Sequence, residues 1–167
     1  MNARDWIEQL GLIEHPEGGY FREIYRSGYR MAEEILPFGI EGEHSLGTSI
    51  YFLITHEKPS HFHRLTSDEV WFFHEGSPVT LHFIETDGTY RQLELGRNPD
   101  HGETFQQTVP AGTWFGATVE EPEGFGLTSC VVFPGFEFSD FELGKRSDLL
   151  RSFPEHQGII ERLTASG

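Results

Sequence analysis

Pro78 to Leu95 reads PVTLHFIETDGTYRQLEL, two alternating runs on either side of an Asp87-Gly88 step. Alternation sends every second side chain to the same face, and Asp-Gly suits a tight turn between strands, so this stretch predicts a β-hairpin and commits its neighbours to a sheet. Thr48 to Thr55 is apolar at nearly every residue, the pattern of a strand covered on both sides or at a subunit contact. Phe105 to Val109, the run PAGTWFGATV and Gly124 to Phe133 predict further strands. Tyr20 to Arg26 alternates without a purely apolar face, as at a sheet edge or a pocket wall. Gly 19, Pro 9 and Phe 15 among 167 residues interrupt helices too often for a bundle and suit short strands and turns.

Helices belong at the margins. Asn2 caps a short first helix with Trp6, Ile7 and Leu10 on its apolar side and Gly11 as its stop. Ser147 is the expected cap of another that stops near Pro154, before a last helical run through Leu163. Ser27 to Gly47 reads as a long loop with a helical turn around Met31 to Leu36. One domain over 1–167 is expected, with a barrel core at about 17–143 and a helical tail at 145–163.

The 27 acidic and 12 basic residues give a formal charge of −15, which repels phosphate backbones and anionic membranes. Neither nucleic acid nor a membrane is an expected partner. Cys130 is the only cysteine, so no internal disulfide forms, as suits a reducing compartment. MNARDWIEQLGL lacks the apolar core of a signal peptide, and no run approaches the roughly 18 apolar residues of a membrane span, so the expected location is cytoplasmic.

Chemistry concentrates in HFHRLTSDEVWFFHEG, His61 to Gly76. In ideal strands His61 and His63 share one face, and Glu69, Trp71 and Phe73 share another. Two antiparallel strands would gather imidazoles and a carboxylate, for a divalent metal or for general acid–base catalysis. His61-Phe62-His63, Glu69 and Gly76 resemble the first cupin motif. Gly102 and Pro110-Ala111-Gly112 resemble the framework of the second. EGGYF (Glu17 to Phe21), TSIYFLI (Thr48 to Ile54), SDEVW (Ser67 to Trp71), PAGTWF (Pro110 to Phe115) and FPGFEFSDFEL (Phe133 to Leu143) are similar to the cupin-5 family, formerly a domain of unknown function, over about Leu10 to Leu163. The resemblance implies a mainly β fold, the double-stranded β-helix or cupin jelly-roll barrel, with a few short peripheral helices.

The usual cupin metal site takes two His and a Glu from the first motif and one His from the second. Here the register His61/His63/Glu69 carries one residue too many before the Glu. A second register places His63 in the first His position and Leu65 in the second, and Phe115 stands where the fourth ligand would be. A divalent ion on His61, His63 and Glu69 is therefore the alternative, and the cofactor is left open. The leading reading resembles sugar-nucleotide epimerases of the superfamily: a metal-independent pocket for a small polar metabolite, a sugar or nucleotide-sugar. In it His63 is the base, Glu69 orients its imidazolium and Tyr51 returns a proton. Ser60, His61 and Arg64 are candidates for polar ligand contacts, Trp71 and Trp114 for apolar ones, and His82 for the pocket. A metal-dependent isomerase, hydrolase or dioxygenase and a non-catalytic sugar-binding protein are the competing classes. A homodimer is expected from the aromatic Phe133 to Phe141 segment and the Ile50 to Ile54 run.

Overall fold

The computed structural model describes residues 1–37 and 39–165. Helix α1 (Ala3–Leu10) is followed by β1 (Ile13–Glu14), β2 (Tyr20–Arg26), β3 (Arg30–Met31), β4 (His44–Ser45), β5 (Thr48–Thr55), β6 (Ser60–Leu65) and β7 (Asp68–Gly76). Then come β8 (Val79–Ile84), β9 (Tyr90–Leu95), β10 (Gln106–Val109), β11 (Trp114–Thr118), β12 (Phe125–Phe133) and β13 (Phe141–Leu143), and finally α2 (Arg146–Ser152) and α3 (Gln157–Arg162). Two sheets, β1-β2-β5-β12-β7-β10 and β13-β6-β11-β8-β9, face one another as a jelly roll, and β3 pairs with β4 on the side.

The β8–β9 hairpin closes over a longer turn than a two-residue one. The Glu85 N–H donates to Thr89 O at 2.9 Å, and the Asp87 side chain accepts the Thr89 N–H at 2.9 Å. Gly88, at φ 87°, supplies the left-handed step. All six residues of β8 are buried, because both faces of the strand are covered. Val79, Leu81 and Phe83 enter the interior with Phe52, Trp71 and Phe115. Ile84, on the opposite face, packs with Phe62, Leu149, Ile160 and Leu163 beneath the C-terminal helices.

Helix α1 closes the other sheet. Asn2 accepts the Asp5 N–H at 3.0 Å while Asp5 accepts the Asn2 N–H at 2.9 Å, and Gly11 ends the helix in the left-handed region. Trp6, Ile7 and Leu10 lie against Leu53 and Leu127. Leu53 is thus covered by α1 while Phe52 faces the interior, so the apolar Ile50 to Ile54 run is accounted for within one chain. Phe133 and Phe138 remain exposed, at 54% and 57%.

Two local expectations shift. Ser147 lies inside α2 rather than capping it, because the Gly144 N–H is pinned to Phe62 O at 2.7 Å and the chain turns into the helix at Lys145. The long loop contains β3, β4 and one 3-10 turn at Glu33–Ile35. Phe38, within that loop, is outside the described residues. Among the described residues no helix is long and apolar enough to cross a membrane.

Candidate functional site

The site depends on an irregularity in β6. Phe115 pairs with His63 and Ala117 with Ser60, so two β6 residues lie between partners that one β11 residue separates. This β-bulge breaks the strict alternation of the strand. His63 and Leu65 line the barrel cavity, Phe62 packs under the C-terminal helices, and His61 lines a separate surface recess with Glu57, Lys58 and Pro59. The structure takes the second of the two registers: His63, Leu65 and Glu69 face the cavity together.

The partner of His63 comes from the turn before β2. Gly18 and Gly19 have φ of 107° and 65°. A Cβ on Gly18 would lie 2.1 Å from Pro59 O, and one on Gly19 would lie 2.9 Å from Leu53 O. Only glycines let this turn press onto β5 and the start of β6. There Glu17 O accepts the His61 N–H at 2.7 Å, and the Glu17 side chain enters the barrel, 6% exposed.

Inside, the Ser60 hydroxyl donates to Glu17 Oε1 at 2.7 Å. Glu17 Oε2 lies 3.2 Å from His63 Nε2 and 3.4 Å from His15 Nδ1. His63 Nδ1 is 2.8 Å from the His61 carbonyl, which can only accept, so Nδ1 carries the ring proton and Nε2 offers a lone pair. Burial pushes the His63 pKa down to about 3, against the pull of the His61 carbonyl. Burial, and then the charge of Glu69, push the Glu17 carboxyl well above its ordinary value, with the Ser60 hydrogen bond opposing. Glu17 is therefore a neutral acid lying 3.2 Å from a neutral His63, since desolvation penalises both ions of the alternative pair.

Glu69 and Trp71 enter the same cavity from β7, with Cys130 of β12 paired beside Trp71. Burial raises the Glu69 pKa to about 7, with the Trp71 indole and the Cys130 thiol pulling the other way. Glu69 Oε2 and Trp71 Nε1 are both buried without a hydrogen-bond partner. Such an unmet group costs about 1–3 kcal/mol. Burial pushes the Cys130 thiol well up as well, so it stays protonated. The cavity is walled by aromatic rings including Phe21, Phe52, Phe138 and Phe141. At its edge Arg26 is held by Glu137 at 2.7 Å and by Glu23 at 2.9 Å.

Of the residues singled out from the sequence, His63, Glu69 and Trp71 line this cavity, and Ser60 reaches it through Glu17. The others lie elsewhere. Tyr51 packs with the α1 cluster, its ring 6.1 Å from His74. His82, on the outward face of β8, bonds Tyr90 Oη at 2.7 Å and Thr118 Oγ1 at 2.8 Å. Arg64 pairs with Glu142 at 2.7 Å and lies 4.6 Å over Trp114, which packs beneath the C-terminal helices. His15, Glu17, Cys130 and the Phe138–Phe141 rings were not singled out as site residues. The signal was an acid directly before two glycines, but its partner His63 lies far along the chain.

The donor set does not fit the usual cupin metal. Leu65 and Phe115 occupy two of its four positions, neither has a lone pair to give, and His61 is turned away. His15 Nδ1 is taken by the Glu17 N–H at 3.2 Å. Among the described residues no three His, Cys, Asp or Glu side chains converge as metal ligands.

The family described as Cupin superfamily (DUF985), Cupin_5, matches residues 4–144. An uncharacterized protein of Saccharomyces cerevisiae is 32% identical over 154 residues, covering 87% of this chain and 76% of its own. A hypothetical protein from Leishmania major superposes with a TM-score of 0.91 at 37% identity, over 99% of this chain and 100% of that one. A crystal structure from Shewanella oneidensis gives 0.88 at 39% identity, over 100% and 99%. Oxalate decarboxylase from Bacillus subtilis shares the fold, with a TM-score of 0.55 at 14% identity over 92% of this chain and 37% of that one.

Proposed function

Because the chain belongs to the Cupin_5 family of the cupin superfamily, and its barrel encloses two buried carboxyl groups whose pKa values burial raises, we propose that it carries out metal-independent acid–base chemistry on a small polar metabolite. The observation that carries this reading is Glu69, raised to about 7, in one cavity with a protonated Glu17 that His63 and Ser60 hold in place. A group that titrates near neutrality takes and returns protons efficiently, and a second group held protonated serves as the acid. An epimerase or isomerase step needs that combination: a base for a C–H proton next to a carbonyl, and an acid for the oxygen. Glu69 is the base and Glu17 the acid. His63 acts through Glu17 as a positioning residue, because its free nitrogen lies 3.2 Å from Glu17 Oε2.

The test begins with thermal stabilisation of the purified protein by metabolite pools, since a ligand that binds only the native state raises Tm. The ligand found is then incubated with protein in heavy water and followed by NMR. Exchange of a carbon-bound proton, abolished in Glu69→Gln, is the expected result. A ligand that binds tightly and exchanges nothing makes the protein a non-catalytic binder.

A further inference from the structure

Resting on that proposed function, we infer that the ligand is an uncharged molecule presenting an oxygen acceptor beside a hydroxyl donor, an α-hydroxyketone or a vicinal diol on a compact apolar frame. The cavity states its own unmet demand. Glu17 Oε1 accepts from Ser60 at 2.7 Å, Glu17 Oε2 lies 3.2 Å from His63 Nε2, and the His63 ring N–H donates to the His61 carbonyl at 2.8 Å. The His15 nitrogen accepts the Glu17 N–H at 3.2 Å. Among the fully buried polar atoms of the cavity wall, one donor, Trp71 Nε1, and one carboxyl oxygen, Glu69 Oε2, have no hydrogen-bond partner. They belong to residues two apart on β7 that line the same cavity, so a single small ligand can meet both.

Charge decides between the remaining ligand classes. An anion needs a free counter-charge, and the cationic side chain at the mouth, Arg26, is spent on Glu23 at 2.9 and 3.0 Å, Glu137 at 2.7 Å and Phe136 O at 2.9 Å. An anion would also meet two carboxyl groups further in. A cation suits those carboxyl groups but has no lone pair for the Trp71 N–H, which would stay buried and unmet. A neutral hydroxyl beside a carbonyl or a second hydroxyl satisfies both groups. The aromatic walls cover its apolar frame. For a nucleotide-sugar, this places the sugar inside and leaves the phosphates without a partner there.

The probes are four six-membered rings of similar size: 2-hydroxycyclohexanone, cyclohexanone, 2-hydroxycyclohexanecarboxylate and protonated cyclohexylamine. Each is titrated into the whole protein near neutral pH by ligand-observed NMR. The hydroxyketone should bind at least about tenfold more tightly than each of the other three, the difference one satisfied buried group makes. Trp71→Phe and Glu69→Leu should each bring it down to the level of cyclohexanone. If either variant melts early, the four-probe ranking on the native protein decides alone. Tighter binding of the carboxylate or of the ammonium overturns the inference, as does failure of the hydroxyketone to bind at millimolar concentration. The two proposals fail separately. A hydroxyketone that binds as expected but exchanges no C–H proton sinks the acid–base reading and leaves the ligand class. Proton exchange in a charged substrate does the reverse.

Discussion

His44 and His63 are both buried against a carboxyl group, 2.6 Å from Asp140 and 3.2 Å from Glu17, yet their pKa values move in opposite directions. His44 faces acceptors on both nitrogens, the Gly42 carbonyl at 2.9 Å and the Asp140 carboxylate, so both contacts favour the protonated ring. Burial pulls its pKa down, but the Asp140 and Gly42 hydrogen bonds and the charges of Asp140 and Glu137 outweigh that and raise it. His63 has one such acceptor, and the pKa of its carboxyl partner is raised by burial first and then by the charge of a second carboxyl, Glu69. Burial and the neighbouring charges together decide the outcome. Without a competing carboxyl inside the barrel the pair is a charged clamp, tying β4 to the turn that delivers Phe138 and Phe141. With one, the pair holds a mobile proton beside a cavity.

This contrast predicts the largest effect at the clamp. Asp140→Ala strands a buried imidazolium and should lower the unfolding free energy by about 3–5 kcal/mol in a denaturant titration. Glu17→Gln keeps an acceptor for Ser60 and a donor for His63, so it should change stability by less than about 1 kcal/mol. Comparable losses in the two variants would break the comparison.

Next in size is the proton-holding pair. His63→Ala should reduce turnover about a hundredfold or more, or weaken binding at least about tenfold if the site only binds, measured on variants that melt like the native protein. His61→Ala, outside the cavity, should do less. The reverse ranking would mean that the bulge does not direct the functional side chains.

The two histidines should also give stability opposite slopes with pH. Because the folded pKa of His44 is raised, its contribution is fully present below the ordinary value of 6.5 and is lost as pH rises through the raised value. The deficit of His44→Gln against the native protein should therefore shrink as pH is raised. His63, lowered from 6.5 to about 3, refuses a proton that the unfolded chain accepts, so it costs stability as pH falls across that window. A conservative His63→Phe should flatten the acid side of the profile. Midpoints of urea unfolding at stepped pH check both signs.

The smallest effect is expected on the outer face. Arg64 and Glu142 are exposed at 42% and 56%, so their ion pair is screened, and Arg64→Ala should cost less than about 1 kcal/mol. Ligand affinity should not change. A tenfold loss would bring Arg64 back to the binding site and make the outer face part of the function.

Much of the architecture was legible because it is written in local patterns. Alternation around Asp87-Gly88, the doubly apolar run at β5 and the capping pair Asn2 and Asp5 are each a few residues long and need no distant partner to be read. The cupin-like motifs then supplied the connectivity. His63, Glu69 and Trp71 could be picked out for the same reason: they crowd into one short stretch of strands. Assigning faces by alternation stopped at the bulge in β6, which turns His61 away from His63. A bulge is set by pairing with β11, and Phe115 and Ala117 lie about fifty residues further on, beyond the reach of a period-two pattern.

What the sequence determined by itself, then, is the class of barrel and the strand that carries its chemistry, because strand periodicity and turn preference act between neighbours along the chain. Tertiary structure decided the rest. Gly18 and Gly19 gain their meaning from the backbone of Pro59 and Leu53 pressing against them, and through them Glu17 comes to His63. Whether those groups carry charge is not a property of either residue: it follows from the water each loses on burial and from the distance to a third carboxyl, and both quantities exist only once the two sheets have closed over the cavity.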